Sequence, residues 1–72
     1  MKKQFTVYFT RRWYGEKEIG YLTVYATGIK EACEDTAKFF HQKIGRYFKI
    51  DAVLDENVNE IKKSVWQAAL NA

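Results

Sequence analysis

Apolar and polar side chains alternate along three stretches of this chain. Phe5, Val7 and Phe9 are interleaved with Thr6, Tyr8, Thr10 and Arg12. Leu22, Val24 and Ala26 are interleaved with Tyr21, Thr23 and Tyr25, and Phe48, Ile50 and Ala52 with Tyr47, Lys49 and Asp51. Successive strand residues point to opposite sides, so each stretch predicts a strand with one oily and one polar face. Phenylalanine falls on one side of the expected sheet and tyrosine on the other. A sheet that needs only a wetted back can use Lys, Glu and Thr there. Tyrosine adds a flat apolar body with a hydrogen-bonding tip, which suits a surface that touches another molecule.

Residues 3–12 and 19–26 read as a hairpin joined by the polar loop Tyr14-Gly15-Glu16-Lys17-Glu18. Residues 29–44 carry a helical period: Ile29, Ala32, Cys33, Thr36, Phe39, Phe40 and Ile44 share one face, with Ala37 at its margin. Thr27 or Gly28 is placed to cap the start. Glu31, Glu34 and Asp35 come early and Lys38, His41 and Lys43 late, as the helix dipole prefers. Gly45 is placed to end the helix in a left-handed conformation. A third strand is expected over 46–54. A second helix follows from Asn57 to about Leu70, opened by Asn57 and Glu60 in the manner of a capping box. Val58, Ile61, Val65 and Ala69 form its stripe, with Trp66 and Leu70 to one side.

The expected order is therefore ββαβα, in the α+β class. A right-handed crossover through the first helix sets the third strand beside the first, giving an antiparallel sheet in the order 2-1-3. The first helix covers the Phe face. The C-terminal helix has two possible positions: it shares the Phe face and leaves the tyrosines open, or it crosses the back and buries them.

Seventy-two residues make one domain, with no room for a second core. Cys33 is the single cysteine, so the chain holds no internal disulfide and no thiolate metal site, which favours a reducing compartment. The lysines at 2 and 3 precede an alternating run that ends at Arg11-Arg12, not a secretory signal. No stretch approaches the roughly 20 apolar residues of a membrane helix. The expectation is a soluble, cytoplasmic protein with no membrane contact. A net charge of +3 is compatible with an acidic or nucleic-acid partner and demands neither.

Chemistry finds little support. Cys33 and His41 lie on one predicted helix about 12 Å apart along its axis, beyond the hydrogen-bond reach of a nucleophile and its base. There is no phosphate-binding glycine loop, HExxH or paired-cysteine motif. The expectation is a non-enzyme without cofactor or metal. Binding has better candidates. Tyr8, Tyr21, Tyr25 and Tyr47, near Arg12 and Lys49, form a platform suited to gripping a protein or stacking bases. Arg11, Arg12, Trp13 and Tyr14 cluster at the hairpin tip, and Trp, Tyr and Arg are the residue types enriched at interface hot spots. The same residues also have ordinary structural uses as cross-strand pairs and solvated edges. A homodimer through Val58, Ile61, Val65, Trp66 and Leu70 is a third use of the sequence.

The layout resembles several tiny phage proteins, anti-CRISPR proteins among them: a hairpin, then Val24-Tyr25-Ala26-Thr27-Gly28-Ile29-Lys30-Glu31-Ala32 entering an Ala-containing helix, then another strand. That likeness covers about residues 3–54 and includes no diagnostic motif. It implies a small inhibitory module that binds an effector complex, either a protein or a protein–nucleic acid assembly. The junction Thr27-Gly28-Ile29-Lys30-Glu31-Ala32 also resembles the arm-binding domains of tyrosine recombinases, which read DNA with a three-stranded sheet. Those domains place all three strands before the helix, whereas here the third strand follows it. Direct contact with DNA is the function that second likeness implies; the aromatic and basic sheet face by itself suits DNA or RNA, with Arg11, Arg12 and Lys49 on phosphates and the tyrosines on bases. The RNA-recognition fold also uses an aromatic sheet face, but its βαββαβ order is not met.

Overall fold

The computed structural model describes residues 1–72. Strands β1 (Lys3–Trp13) and β2 (Glu16–Ala26) form a hairpin, followed by helix α1 (Ile29–Phe39), strand β3 (Phe48–Leu54) and helix α2 (Lys63–Leu70). The sheet is antiparallel throughout, in the order β2-β1-β3. The expected α+β class and strand order are as found.

Several boundaries differ from the sequence reading, each for a local reason. The hairpin loop has two residues, not five: Tyr14 and Gly15 both have positive φ, 52° and 77°. That conformation matches the right-handed twist of the flanking strands, so pairing continues to Trp13 opposite Glu16. Helix α1 stops at Phe39, five residues short of the expected end. His41 takes the left-handed conformation (φ 58°) and donates its N–H to Lys38 O, while Gln42 donates to Ala37 O. This pair of bonds is the Schellman closure, formed at a histidine and not at Gly45. Gly45 instead donates its N–H to Phe48 O at 2.9 Å. At the other end, Gly28 is the N-cap without a side-chain bond, and Glu31 reaches back to accept the N–H of Thr27 at 2.8 Å.

Strand β3 contains a bulge. Phe9 faces Ile50 and Tyr8 faces Ala52, so Asp51 is the extra residue. The parity of the strand changes there: Phe48 and Ile50 point inward before it, and Val53, not Ala52, points inward after it. The expected second helix is also shorter. Asp55 Oδ1 accepts the N–H groups of Asn57 and Asn59, which holds residues 55–59 in a turn in place of a first helical turn. Val58 lies in that turn at φ 62°, and helix begins only at Lys63.

The inner face of the sheet carries the core. Phe5, Val7 and Phe9 of β1, Phe48, Ile50 and Val53 of β3, Ala32, Cys33 and Ala37 of α1, and Trp66 of α2 are all buried together. Both helices therefore share the Phe face. Trp66, expected at one side of its helix, is only 4% exposed, and Ile61 and Leu70 pack against the same core. Of the stripe expected to offer a dimer contact, Trp66, Ile61 and Leu70 turn to the core, while Val58 and Val65 stay exposed. In α1 the buried face takes Ala37 and excludes Phe39, which is 65% exposed and meets Phe40 edge-on at 5.1 Å. Thr36 is buried with its hydroxyl donated to Ala32 O, so its polarity is satisfied.

Val58 is β-branched and left-handed, a conformation that costs about 1–2 kcal/mol for a residue with a Cβ. Val58→Gly is expected to raise stability by about 1 kcal/mol, visible as a higher urea midpoint, since relief of that clash outweighs the added unfolded freedom. Burial pushes the Cys33 thiol from 9.0 up to about 12, with Glu34 adding a smaller push. Above pH 9 the unfolded chain loses this proton while the folded chain keeps it, so stability should fall as pH rises from 9.0 toward about 12. Cys33→Ala should remove that part of the alkaline slope in a pH series of unfolding midpoints.

Candidate binding surface

The registers place the outer-face residues in rows across the sheet. Gln4 faces Tyr25, Thr6 lies between Thr23 and Leu54, Tyr8 between Tyr21 and Ala52, and Thr10 between Ile19 and Lys49. In the last row Arg12 faces Lys17, and on its other side the Arg12 N–H donates to Tyr47 O at 2.9 Å. No helix covers these rows. Tyr21, Tyr25 and Tyr47 are more than half exposed, Ile19 is 72% exposed, and Tyr8 is 37% exposed.

Cross-strand contacts hold the face in shape. The rings of Tyr8 and Tyr21 are 5.3 Å apart at 36°. Thr6 Oγ1 and Thr23 Oγ1 are 3.3 Å apart, and Tyr25 donates its hydroxyl to Gln4 Oε1 at 3.3 Å. Thr10 donates to Asp51 Oδ2 at 2.6 Å, which anchors the bulged residue on this side. Each contact joins neighbouring strands, so the platform is as rigid as the sheet beneath it.

One end of the face is basic. Arg12, Lys17, Arg46 and Lys49 line a shallow recess of about 280 Å³ with Tyr47, and Asp51 is the single carboxylate among its lining residues. The Arg46 guanidinium lies over the Tyr47 ring at 5.5 Å. None of these four cations is within ion-pair distance of a carboxylate, since the one salt bridge of the structure is Arg11 to Glu18. The recess is a place for anionic or hydrogen-bond-accepting groups, next to a field of aromatic surface.

Of the nine residues expected to form the contact, Tyr8, Tyr21, Tyr25, Arg12, Tyr47 and Lys49 share the outer face. Tyr14 sits in the turn, 89% exposed. Arg11 and Trp13 are not brought together with Tyr8, because odd-numbered residues of β1 point to the helix side. Arg11 is employed within the fold: its Nε donates to Glu18 Oε1 at 2.9 Å, and its guanidinium lies 4.4 Å from the Phe40 ring centre and 5.0 Å from that of Trp13. Trp13 in turn meets Tyr14 edge-on at 4.8 Å and stays 46% exposed. Ile19, Lys17, Ala52 and Leu54 join the face without having been expected. Alternation with Tyr21 and Tyr25 was the signal for Ile19, opposite Thr10, and the two-residue turn at Tyr14-Gly15 was the signal for Lys17, which it sets opposite Arg12. The last two follow from the bulge.

No three His, Cys, Asp or Glu side chains converge to form a metal-binding group. Cys33 is buried, and His41 is an exposed residue beyond the end of α1. No helix is long and apolar enough to cross a membrane. No family description, curated protein or solved structure matches this chain.

The two adjacent arginines should behave differently. Arg11→Ala removes a charge-assisted bond and two ring contacts at a part-buried site, with an expected loss of about 1–2 kcal/mol and a red-shifted tryptophan emission. Arg12→Ala, on the open face, should stay within about 0.5 kcal/mol of the parent. Urea unfolding of the two variants separates them.

Proposed function

We propose that this protein is a small non-enzymatic binding module of phage or mobile-element type. It acts in the cytoplasm by occupying a surface on a protein or protein–nucleic acid assembly, as the anti-CRISPR proteins that its element order resembles do. The contact is the outer sheet face, with Tyr8, Tyr21, Tyr25 and Ile19 as its apolar body and Arg12, Lys49 and Tyr47 at its charged end.

One observation carries this reading. A chain that must bury every apolar group it can sets both helices on one face and leaves the other bare. That bare face is built of tyrosines locked by cross-strand contacts. Rigid aromatic side chains lose little entropy on binding and supply large area with a directed polar tip, the properties of interface anchors.

A second reading, direct binding of DNA or RNA, is favoured by the four unpaired cations at the recess. There Arg12, Lys17, Arg46 and Lys49 would hold phosphates while the tyrosines stack bases. Affinity of that kind falls steeply as salt rises.

An NMR titration of labelled protein with duplex DNA and single-stranded RNA, at low and physiological salt, distinguishes the two. Silence of the Tyr8, Tyr21 and Tyr25 signals at low salt is expected for the first reading; large shifts that fade with salt establish the second. Against a purified nucleic-acid-guided effector complex, Tyr21→Ala and Arg12→Ala should each weaken binding by more than about 1 kcal/mol while the thermal midpoint holds. Full affinity in both variants would remove the outer face from consideration.

A further inference from the structure

We infer that β2 is a pairing edge for a second copy of this chain, giving a continuous six-stranded sheet in the order 3-1-2-2-1-3. The two edges of the sheet are treated in opposite ways. At the β3 edge the chain covers itself: Gly45 donates its N–H to Phe48 O and Ile61 donates to Val53 O, at 2.9 and 2.8 Å. Leu54 and Glu60 form a further bridge, and the bulge at Asp51 interrupts the line between them. Covering and bulging are the usual protections of an edge strand.

The β2 edge has neither. Eleven residues run from Glu16 to Ala26 without bulge or proline, in unbroken register with β1. From Ile19 onward the strand reads Ile-Gly-Tyr-Leu-Thr-Val-Tyr-Ala, with no charged side chain in it. The direction of the free groups follows from the ladder. Arg12 sends its N–H to Tyr47 O, just before β3 on that side of the sheet, so even-numbered β1 residues face β3 and odd-numbered ones face β2. Their partners Glu16, Glu18, Gly20, Leu22, Val24 and Ala26 are thereby consumed. Lys17, Ile19, Tyr21, Thr23 and Tyr25 direct N–H and C=O groups outward, and those groups have no partner within the chain.

An antiparallel copy fits this edge about a two-fold axis at Tyr21, the middle residue of the strand. Tyr21 then faces Tyr21, Ile19 faces Thr23, and Lys17 faces Tyr25, each pair exchanging two backbone bonds. All five are outer-face residues, so the alternation of both sheets is preserved and the tyrosine face becomes continuous across the axis. The charges agree with this direction. The end bearing Glu16 and Glu18 meets the uncharged end of the other copy, beside Lys3, which pairs with Ala26. Lys3 of one chain and Glu16 of the other share a face two strands apart, about 10 Å. A parallel pairing would instead set the acidic ends together. Pairing along β2 leaves the outer face uncovered, so it stands or falls separately from the binding role.

The test is sedimentation equilibrium of the intact chain from micromolar to millimolar concentration, with amide hydrogen exchange measured at both ends of the range. The expected result is a doubling of mass, accompanied by slowed exchange at the amides of Lys17, Ile19, Tyr21, Thr23 and Tyr25. Tyr21→Lys sets two ammonium groups against each other at the axis and should return the mass to that of one chain. Thr23→Pro, which deletes an N–H that bonds nothing in the single chain, should do the same. Circular dichroism confirms that each variant is folded. A single-chain mass at every concentration overturns the inference. So does a doubled mass with those five amides still exchanging fast, which would locate the contact elsewhere, and so does edge protection that appears only when a foreign peptide strand is added.

Discussion

β1 is hydrogen-bonded along both of its edges, and its odd-numbered side chains Phe5, Val7 and Phe9 form the middle of the buried inner face, on which α1 lies while α2 packs against α1 and β3. Phe9 is the centre of that face. Its ring stacks on Phe48 at 4.9 Å, meets Phe40 at 5.0 Å and lies over Gly20, where an added Cβ would come within 3.2 Å of it. The bare backbone of Gly20 on one strand, the ring of Phe48 on another and the end of α1 thus converge on one side chain. Such close packing leaves little slack, because aromatic contacts of this kind fall off sharply with displacement. The outer face has its form because this inner face is closed: with Phe40 drawn to Phe9, and Trp66 to the same core beside α1 and β3, no helix is left to cover the tyrosines.

Arg11 shows how one strand position can serve the fold where residue type alone suggests recognition. It continues the odd-numbered line of Phe5, Val7 and Phe9 past the end of the apolar core. Its guanidinium bridges the Phe40 and Trp13 rings, while Glu18 on β2 neutralises it. A flat, weakly hydrated cation is suited to that border between oil and water in a way that an ammonium is not. Arg12, one residue on, has the opposite orientation and no carboxylate partner.

Strand order, the inner and outer faces of the hairpin and the start of α1 could be read from the chain, because alternation and the helical period are local patterns that burial enforces. What escaped that reading depends on backbone choices that side-chain patterns do not announce. Tyr14 and His41 adopt left-handed conformations that glycine would have signalled. The first shortens the hairpin loop to two residues, and the second ends α1 early. The bulge at Asp51 exchanges Ala52 for Val53 in the core, and a strictly alternating pattern cannot foresee a change of its own phase. Asp55 draws two N–H groups to its carboxylate and takes a turn away from α2. For the candidate surface, the tyrosines were legible as a set and Ile19 shares their parity, whereas Lys17 became visible only with the turn, and the hairpin-tip cluster divided between two faces by parity.

The division of β1 by parity has a consequence for how this protein can change over generations. Odd positions from Phe5 to Arg11 answer to the packing beneath them, and even positions from Thr6 to Arg12 answer to whatever lies outside. A mutation at an even codon can alter what the sheet meets while leaving the interior untouched, and one at an odd codon does the reverse. Two nearly independent texts are written in alternate letters of one strand. A chain under pressure to follow a changing partner could revise one of them repeatedly without having to rediscover how to fold.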